Sequence, residues 1–373
     1  MHDVLSQLTF RKSDLPKDRI REHIKAAIDS GELVPGQEIP STRQLSALWG
    51  VTPTIVHSAL SALVEDRLLI RRHGKGTFVA EELVALRNVG LYMSLESMSH
   101  SSKWFCRRVL VEIQRILQER DVSVRVFTDS RIRDERAGMW HDVQSAAERK
   151  EIQGLILLDC DHSVLKWAKA LSLPLAAITP EDVPFSVGGD TASMFDVIME
   201  NLAGKGCQSV GLLTVHKMEE AYQAYYSTFI DSARHHNLKV EDEWVRIPKG
   251  KEGLSGSLLT RFGYQQFHEL WQLDCRPDGL IVEPDNVVEG AITAMLELSV
   301  SVPGDLHVAF HRNEMHDYLC PFPSFQAITS EKAYAQALVQ QLENQVNGKA
   351  CHKMILPFGF NEHPGEFHNH SPQ

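Results

Sequence analysis

The chain is poor in features that would assign it to several large classes. Its six cysteines, Cys106, Cys160, Cys207, Cys275, Cys320 and Cys351, are scattered and form no C-x-x-C, so neither a zinc ribbon nor a disulfide framework is expected. No apolar run approaches the roughly 20 residues that span a bilayer. The opening segment, MHDVLSQLTFRKSDLPKDR, lacks the apolar core of a signal peptide, so a cytoplasmic location is expected. There is no P-loop, no G-x-G-x-x-G and no G-x-S-x-G elbow. Asp161, His162 and Ser163 adjoin, but a hydrolytic triad needs side chains that the fold brings together, not neighbours in sequence. Positive charge is scarce as well. Lys and Arg number 38 against 49 Asp and Glu, a net −11, which argues against a polyanionic partner for the chain as a whole.

What is present begins at residues 39–79. Ser41 followed three residues later by Gln44 forms a capping box ahead of Leu45 and Leu48, and Gly50 ends the helix. Thr52 is a second N-cap with Pro53 at N1, where a missing N–H is harmless. Val56, Ala59, Leu60 and Leu63 then recur at helical spacing and define a buried stripe, which leaves Thr54, Ile55, His57 and Ser58 over from packing. Short apolar strands at 68–70 and 77–79 flank Arg71, Arg72, His73, Gly74, Lys75 and Gly76, a cationic and flexible hairpin tip. An earlier helix is marked by Ile20, Ile24, Ala27 and Ile28, with Pro16 near its start and Gly31 at its end. Three helices and a wing make a winged helix-turn-helix, a motif that enters the DNA major groove with the start of its second helix.

Leu33, Pro35, Gly36, Ile39, Pro40, Ser41, Arg43, Leu45, Gly50, Val51, Leu60, Leu63 and residues 74–79 resemble the DNA-binding domain of the GntR family of bacterial regulators, over about 65 residues. The resemblance implies that Arg43 grips phosphate, that Thr54 and His57 read bases, and that His73 and Gly74 enter the minor groove. Thr52, Arg71, Arg72 and Lys75 complete the expected DNA-binding set. Ile55 has two readings, a core residue or a contact to a thymine methyl group. Family members carry basic residues where this chain has Pro53 and His57. Local charge fits this assignment: residues 1–80 hold 11 Lys/Arg against 9 Asp/Glu, a net +2, which leaves −13 for the rest. DNA binding must therefore rest on a local patch.

Beyond a linker at 81–87 the grammar changes to alternating strands and helices. Strands are expected at 89–94, 122–128, 154–158, 175–178, 185–187, 210–214, 244–247, 279–282 and 307–310. Helices are expected at 104–119, 140–150, 165–171, 192–203, 221–236, 264–271 and 288–298. Residues 88–92, 152–158, 173–178, 187–190, 276–282, 301–310 and 327–329 resemble the effector domain of LacI-type repressors, a type I periplasmic-binding-protein fold. The fold class is thus α/β: an N-terminal winged helix-turn-helix (1–80), then a two-lobed effector-binding and dimerisation domain (88–365). Its lobes are expected at 88–188 plus 321–355 and at 189–320 plus 356–365, with a tail at 366–373. A GntR-type head on a LacI-type sensor is the architecture of bacterial arabinose repressors.

In sensors of that type an Arg, an Asn and an Asp clamp sugar hydroxyls, and here Tyr225, Pro284 and His311 stand in their places. The replacement implies a ligand that offers stacking surface or a negative group, with His311 and Arg312 meeting an anion. Glu96, Asp159, His216, Glu283 and Asp285 are further candidates, together with Ser97 and Asp161, because open α/β sheets place ligands at the carboxyl ends of their strands. No cofactor and no metal is expected. Glu362, His363, His368 and His370 match no metal spacing and read as a frayed tail. The expected protein is no enzyme. It is a dimeric, cytoplasmic transcription regulator of GntR type, by default a repressor, whose affinity for double-stranded operator DNA is controlled by a small effector such as a sugar or sugar acid. The alternatives are a GntR-headed pyridoxal-phosphate aminotransferase-like regulator, for which no Schiff-base lysine in an apolar-Ser context is found, and a sensor domain that only dimerises.

Overall fold

The computed structural model describes residues 16–66, 68–72, 76–80, 86–95, 104–131, 133–158, 160–179, 181–216, 223–248, 257–316 and 318–366. The chain divides into two compact units, 1–85 and 86–373.

Among the described residues the smaller unit has three helices and a three-stranded antiparallel sheet. The helices are α1 (Pro16–Asp29), α2 (Thr42–Trp49) and α3 (Pro53–Glu65); the strands are β1 (Glu38–Ile39), β2 (Leu69–Arg72) and β3 (Gly76–Val79), in the order β1-β3-β2. Ser41 and Gln44 close the capping box reciprocally, with Ser41 N–H donating to Gln44 Oε1 at 2.8 Å. Gly50 ends α2 in the left-handed region at φ +64°, which Gly tolerates without Cβ strain. Thr52 holds the N-cap position of α3, but its hydroxyl makes no capping bond. One core joins the three helices and the wing: Ile20, Ile24, Leu45, Trp49, Val56, Leu60, Leu63, Leu69 and Val79 are all buried. Each helix contributes a single stripe, so the opposite faces stay in water.

Among the described residues the larger unit is built on two six-stranded sheets. The first has the order β14-β8-β7-β6-β4-β5, wholly parallel, from β4 (Asn88–Ser94), β5 (Ser123–Asp129), β6 (Gly154–Leu157), β7 (Leu175–Ile178), β8 (Ser186–Gly189) and β14 (Met354–Leu356). The second has the order β10-β9-β11-β12-β13-β15, from β9 (Val210–Leu213), β10 (Val245–Arg246), β11 (Gly279–Val282), β12 (His307–Asn313), β13 (Ser324–Thr329) and β15 (Gly359–His363); only β15 runs antiparallel. The inner strands β6, β9 and β11 are buried along their whole length, as strands with both faces covered must be. The cover comes from α4 (Trp104–Gln118), α5 (His141–Glu148), α6 (His162–Ala168), α7 (Thr191–Gly204), α8 (Gln223–His235), α9 (Ser257–Trp271), α10 (Asp285–Glu297) and α11 (Glu331–Val346). They enclose four apolar clusters, two per sheet.

α9 and α10 approach each other closely. A Cβ built on Gly290 would lie 1.8 Å from the Thr260 carbonyl oxygen, and one on Gly263 would lie 2.1 Å from that of Val287. The two backbones meet where only Gly fits.

Several boundaries differ from the sequence expectation. The expected lobe piece 321–355 is split, because β13 pairs with β12 and β15 in the second sheet while α11 and β14 belong with the first. The chain therefore crosses between sheets after β8, after β13 and after β14. Leu86, placed in the linker, packs against the first-sheet core, and the backbone N–H groups of Arg87 and Asn88 donate to Gln153 Oε1. Glu362 and His363 are no frayed tail: they lie in β15, and Glu362 is held by Lys205 and Asn201. Glu366, assigned to the tail, exchanges two hydrogen bonds with Cys320. Among the described residues no single helix is long and apolar enough to cross a membrane.

Candidate functional site

The residues singled out for DNA contact fall into three groups. Arg43 on α2, Thr52 at the cap, Thr54 and His57 on the first turns of α3, and Arg71 and Arg72 on the wing are all exposed. Ile55 is half-buried and packs against the edge of the core, so the packing reading of this residue has direct support. His73, Gly74 and Lys75 lie outside the described residues. Two wing arginines are oriented by neighbours: Arg71 Nη2 donates to Ser61 Oγ of α3 at 2.8 Å, and the Arg72 guanidinium sits 5.0 Å above the Phe78 ring. The Ser61 bond ties the wing to the helix, so their cationic and polar faces are presented as one surface.

The larger unit contains a cleft of about 600 Å³ between its two sheets. One wall comes from the first sheet and its helices, through Phe105, Leu158, Ile178 and Val187. The other comes from strand ends and helix starts of the second, through His216, Glu283, Asp285 and His311. α7 and α8 supply Thr191, Met194, Tyr225 and Thr228. Of the eight sequence candidates, His216, Tyr225, Glu283, Asp285 and His311 line this cleft. Glu96 and Asp159 lie outside the described residues, as does Ser97. Arg312 is not in the lining: alternation along β12 turns it away from His311, and its Nε donates to the His316 carbonyl. Asp161 acts as the N-cap of α6, accepting from Val164 N–H at 3.0 Å.

Two carboxylates organise the polar wall. Glu283 is 7% exposed. Thr214 Oγ1 donates to its Oε1 at 2.8 Å, Tyr225 OH donates to the same oxygen, and His216 Nε2 lies 3.5 Å from it. Burial lowers the His216 pKa despite the pull of Glu283, and the imidazole is therefore neutral near pH 7. Burial and the neighbouring Glu283 push the Tyr225 pKa well above the usual phenol range, so it stays a donor. Glu283 is thus met by neutral hydrogen-bond donors rather than by a cation.

Asp285 opens α10, where the helix N-terminus favours negative charge. Burial alone would raise its pKa, but hydrogen bonds from His316 and Asn313 outweigh burial and hold it low. Asn313 Nδ2 donates to its Oδ2 at 2.6 Å, and His316 Nδ1 bonds the same oxygen. Those bonds to Asp285, and a second contact with Glu289, raise the His316 pKa to about 10. His316 is therefore an imidazolium. It also stacks against Trp104 at the start of α4, ring centroids 6.5 Å apart, which bridges the two sheets' sides of the cleft. The Arg107 guanidinium covers Trp104 at 4.4 Å.

His311 Nε2 lies 2.9 Å from Thr329 Oγ1, while its Nδ1 is buried with no hydrogen-bond partner. Such an orphan costs about 1–3 kcal/mol. Lys353, also in the lining, is 3.5 Å from Asp182. Sequence reasoning missed Asn313, His316, Thr214, Thr329 and Lys353. Asn313 could have been found, because it lies two residues beyond His311 on the same face of the strand. Thr214 follows the strand-end rule that picked out His216. Nothing in the sequence marked His316 or Lys353.

Residues 16–79 match the family model described as bacterial regulatory proteins of the gntR family, and residues 199–357 match that of the periplasmic binding protein-like domain. The chain is 38% identical over 80 residues to the HTH-type transcriptional repressor NagR of Bacillus subtilis, covering 21% of this chain and 33% of that one. It is 33% identical over 94 residues to a lactose operon repressor of Rhizobium radiobacter, covering 25% of this chain and 82% of that one. The chain spans about a third of the length of NagR and of the Actinobacillus pleuropneumoniae repressor PurR, which it also matches. Among solved structures, a LacI-family regulatory protein from Chloroflexus aggregans superposes with TM-score 0.62 at 15% identity, over 74% of this chain and 99% of that one. A LacI-family regulator from Clostridium acetobutylicum gives 0.59, also at 15%, over 74% and 98%. At that identity the likeness establishes the fold.

Proposed function

Because the chain belongs to the GntR/LacI-type helix-turn-helix regulators and carries a periplasmic-binding-protein-like effector domain, we propose that it controls transcription as a cytoplasmic homodimeric repressor. In this reading residues 1–80 bind a palindromic operator and residues 88–365 close on a small effector and dimerise. Closure of the cleft changes the spacing of the two heads, so effector binding and operator binding compete through one conformational equilibrium. The exposed positions of Arg43, Thr54, His57 and Arg71 support the DNA assignment. Anisotropy of a labelled duplex from its own promoter tests it, with Arg43→Ala and His73→Ala as variants. Unchanged affinity in both removes the assignment.

The effector is a neutral or amine-bearing polyhydroxy compound of sugar size. The observation that carries this is the environment of Glu283: its neighbours are neutral donors converging on one oxygen, Oε1, which leaves Oε2 for a ligand hydroxyl or amine. Asp285 adds a second acceptor, and Thr179, Thr191, Thr228, Asn313 and Thr329 add short polar groups to the lining. Phe105, Leu158, Val187 and Phe358 supply apolar surface for a ring face. The volume suits a mono- or disaccharide, since small-molecule sites span about 300–1,000 Å³. The anion implied by His311 and Arg312 loses support here, because Arg312 bonds elsewhere and is not in the lining. An arabinose-repressor-like architecture is retained without requiring arabinose as the ligand. Calorimetry on the full chain with neutral sugars and amino sugars, against sugar acids and phosphates, decides the matter. Tight binding confined to the acids and phosphates overturns this reading.

A further inference from the structure

A second group of ligating side chains lies apart from the cleft lining. Asp196 on α7, His235 at the end of α8 and His236 just beyond it bring one carboxylate oxygen and two ring nitrogens within 4.8 Å of one another. His236 Nε2 lies 2.8 Å from Asp196 Oδ1, and the two imidazole rings meet edge to face at 4.9 Å. The two helices are packed firmly at this level. Phe195, next to Asp196, contacts Phe229 of α8 at 5.4 Å, and both are fully buried. The donors thus sit on or directly beside rigid helices, where small side-chain rotations suffice to converge them. Asp196 and His235 are exposed, so an ion has direct access.

The donor chemistry selects the ion class. Two imidazoles and one carboxylate suit Zn²⁺, Co²⁺, Ni²⁺ or Cu²⁺, whereas Mg²⁺ and Ca²⁺ require oxygen shells. Three protein ligands leave a position for water. We propose that Asp196, His235 and His236 form a transition-metal site that cross-braces α7 to α8. Both helices also wall the cleft, through Thr191 and Met194 on α7 and Ala224, Tyr225 and Thr228 on α8. A bound ion therefore stiffens one wall of the effector site. That coupling rests on the sensing role proposed above; metal uptake does not.

The test is titration of the tag-free, chelator-stripped full chain with metal at several pH values, since metal binding to imidazole competes with protons. Co²⁺ is followed by its visible d–d absorption and Zn²⁺ by calorimetry. The variants are Asp196→Asn, His235→Gln and His236→Gln, each checked for folding by circular dichroism. A triple variant, His363→Gln with His368→Gln and His370→Gln, controls for the C-terminal histidines. One equivalent of metal is expected, weakened about tenfold or more by each cluster variant and unaffected by the triple variant. The proposal is overturned if the wild type takes up no metal, if the cluster variants bind as the wild type does, or if only the triple variant abolishes uptake. Weaker effector binding in the cluster variants without any metal effect would also overturn it.

Discussion

Replacing His316 by Gln is expected to destabilise the larger unit in a pH-dependent way. The folded-state pKa of His316 is raised from 6.5 to about 10, mainly by its hydrogen bonds to Asp285 and Glu289. At about 1.36 kcal/mol per pKa unit, that is about 5 kcal/mol favouring the folded state when the ring is charged. Asp285 is buried and His316 half-buried, with side chains 4% and 17% exposed, so the loss is about 3–5 kcal/mol, the range for breaking a buried ion pair. Because the folded pKa lies above the unfolded one, this stability is fully present below pH 6.5. It is lost as the pH rises through 6.5 towards 10, where the unfolded chain has released its proton and the folded chain has not. Urea unfolding of the full chain, read on the transition of the larger unit, should show the gap between wild type and His316→Gln greatest below pH 6.5 and shrinking towards pH 10. Asp285→Asn should flatten the wild-type pH dependence over the same window, since it removes the charge that holds the proton. A gap that stays constant from pH 6.5 to 10, or an Asp285→Asn variant that keeps the full slope, would refute the argument.

Gly290→Ala should cost about 3 kcal/mol or more, because the new methyl meets the Thr260 carbonyl at 1.8 Å and α9 must be pushed away; thermal unfolding of the larger unit measures it, and a neutral result would mean the helices do not approach as described. Ser41→Ala removes the capping box of α2 and should lower the stability of the smaller unit by about 1 kcal/mol while leaving the larger unit's transition in place. Arg43→Ala should reduce the log-log salt slope of operator binding by about 0.9 for one lost phosphate contact; an unaltered slope takes Arg43 off the DNA backbone. Glu283→Gln should weaken effector binding by tenfold or more while operator affinity without effector is unchanged, and equal binding of the effector by the variant would remove Glu283 from the site.

The winged helix was legible because its signals are local. The Ser41–Gln44 box, Pro53 at N1, Gly50 after the last turn and a single apolar stripe per helix each act within a few residues, and the structure places helices where those signals stand. The alternating strands of the larger unit were legible for a related reason, since buried runs such as residues 154–157 and 279–282 have no polar reading. α11 was not expected, although Tyr334, Ala335, Leu338, Val339 and Leu342 recur at helical spacing and are buried against the first-sheet core. What tertiary contact alone decided is the role of its amides: the buried Gln341 donates to the backbone carbonyls of Pro184 and His352, and the half-buried Gln345 bonds both backbone groups of Leu175.

The same distinction separates the parts of the cleft. Strand-end position was enough to nominate His216, Glu283 and Asp285, because a parallel sheet presents its carboxyl ends together. The roles came only from tertiary contact. Thr214 and Tyr225 reach Glu283 across sequence separations of 69 and 58 residues, and His316 reaches Asp285 across 31. Asp196 meets His236 across 40. Charge state, hydrogen-bond direction and metal-ligating geometry are set within a few ångströms, and no periodicity in the chain encodes which distant residues will share that space. Local conformational preference thus determined the elements and their order, while burial and packing decided which side chains are charged, which are paired, and where the chain crosses between its two sheets.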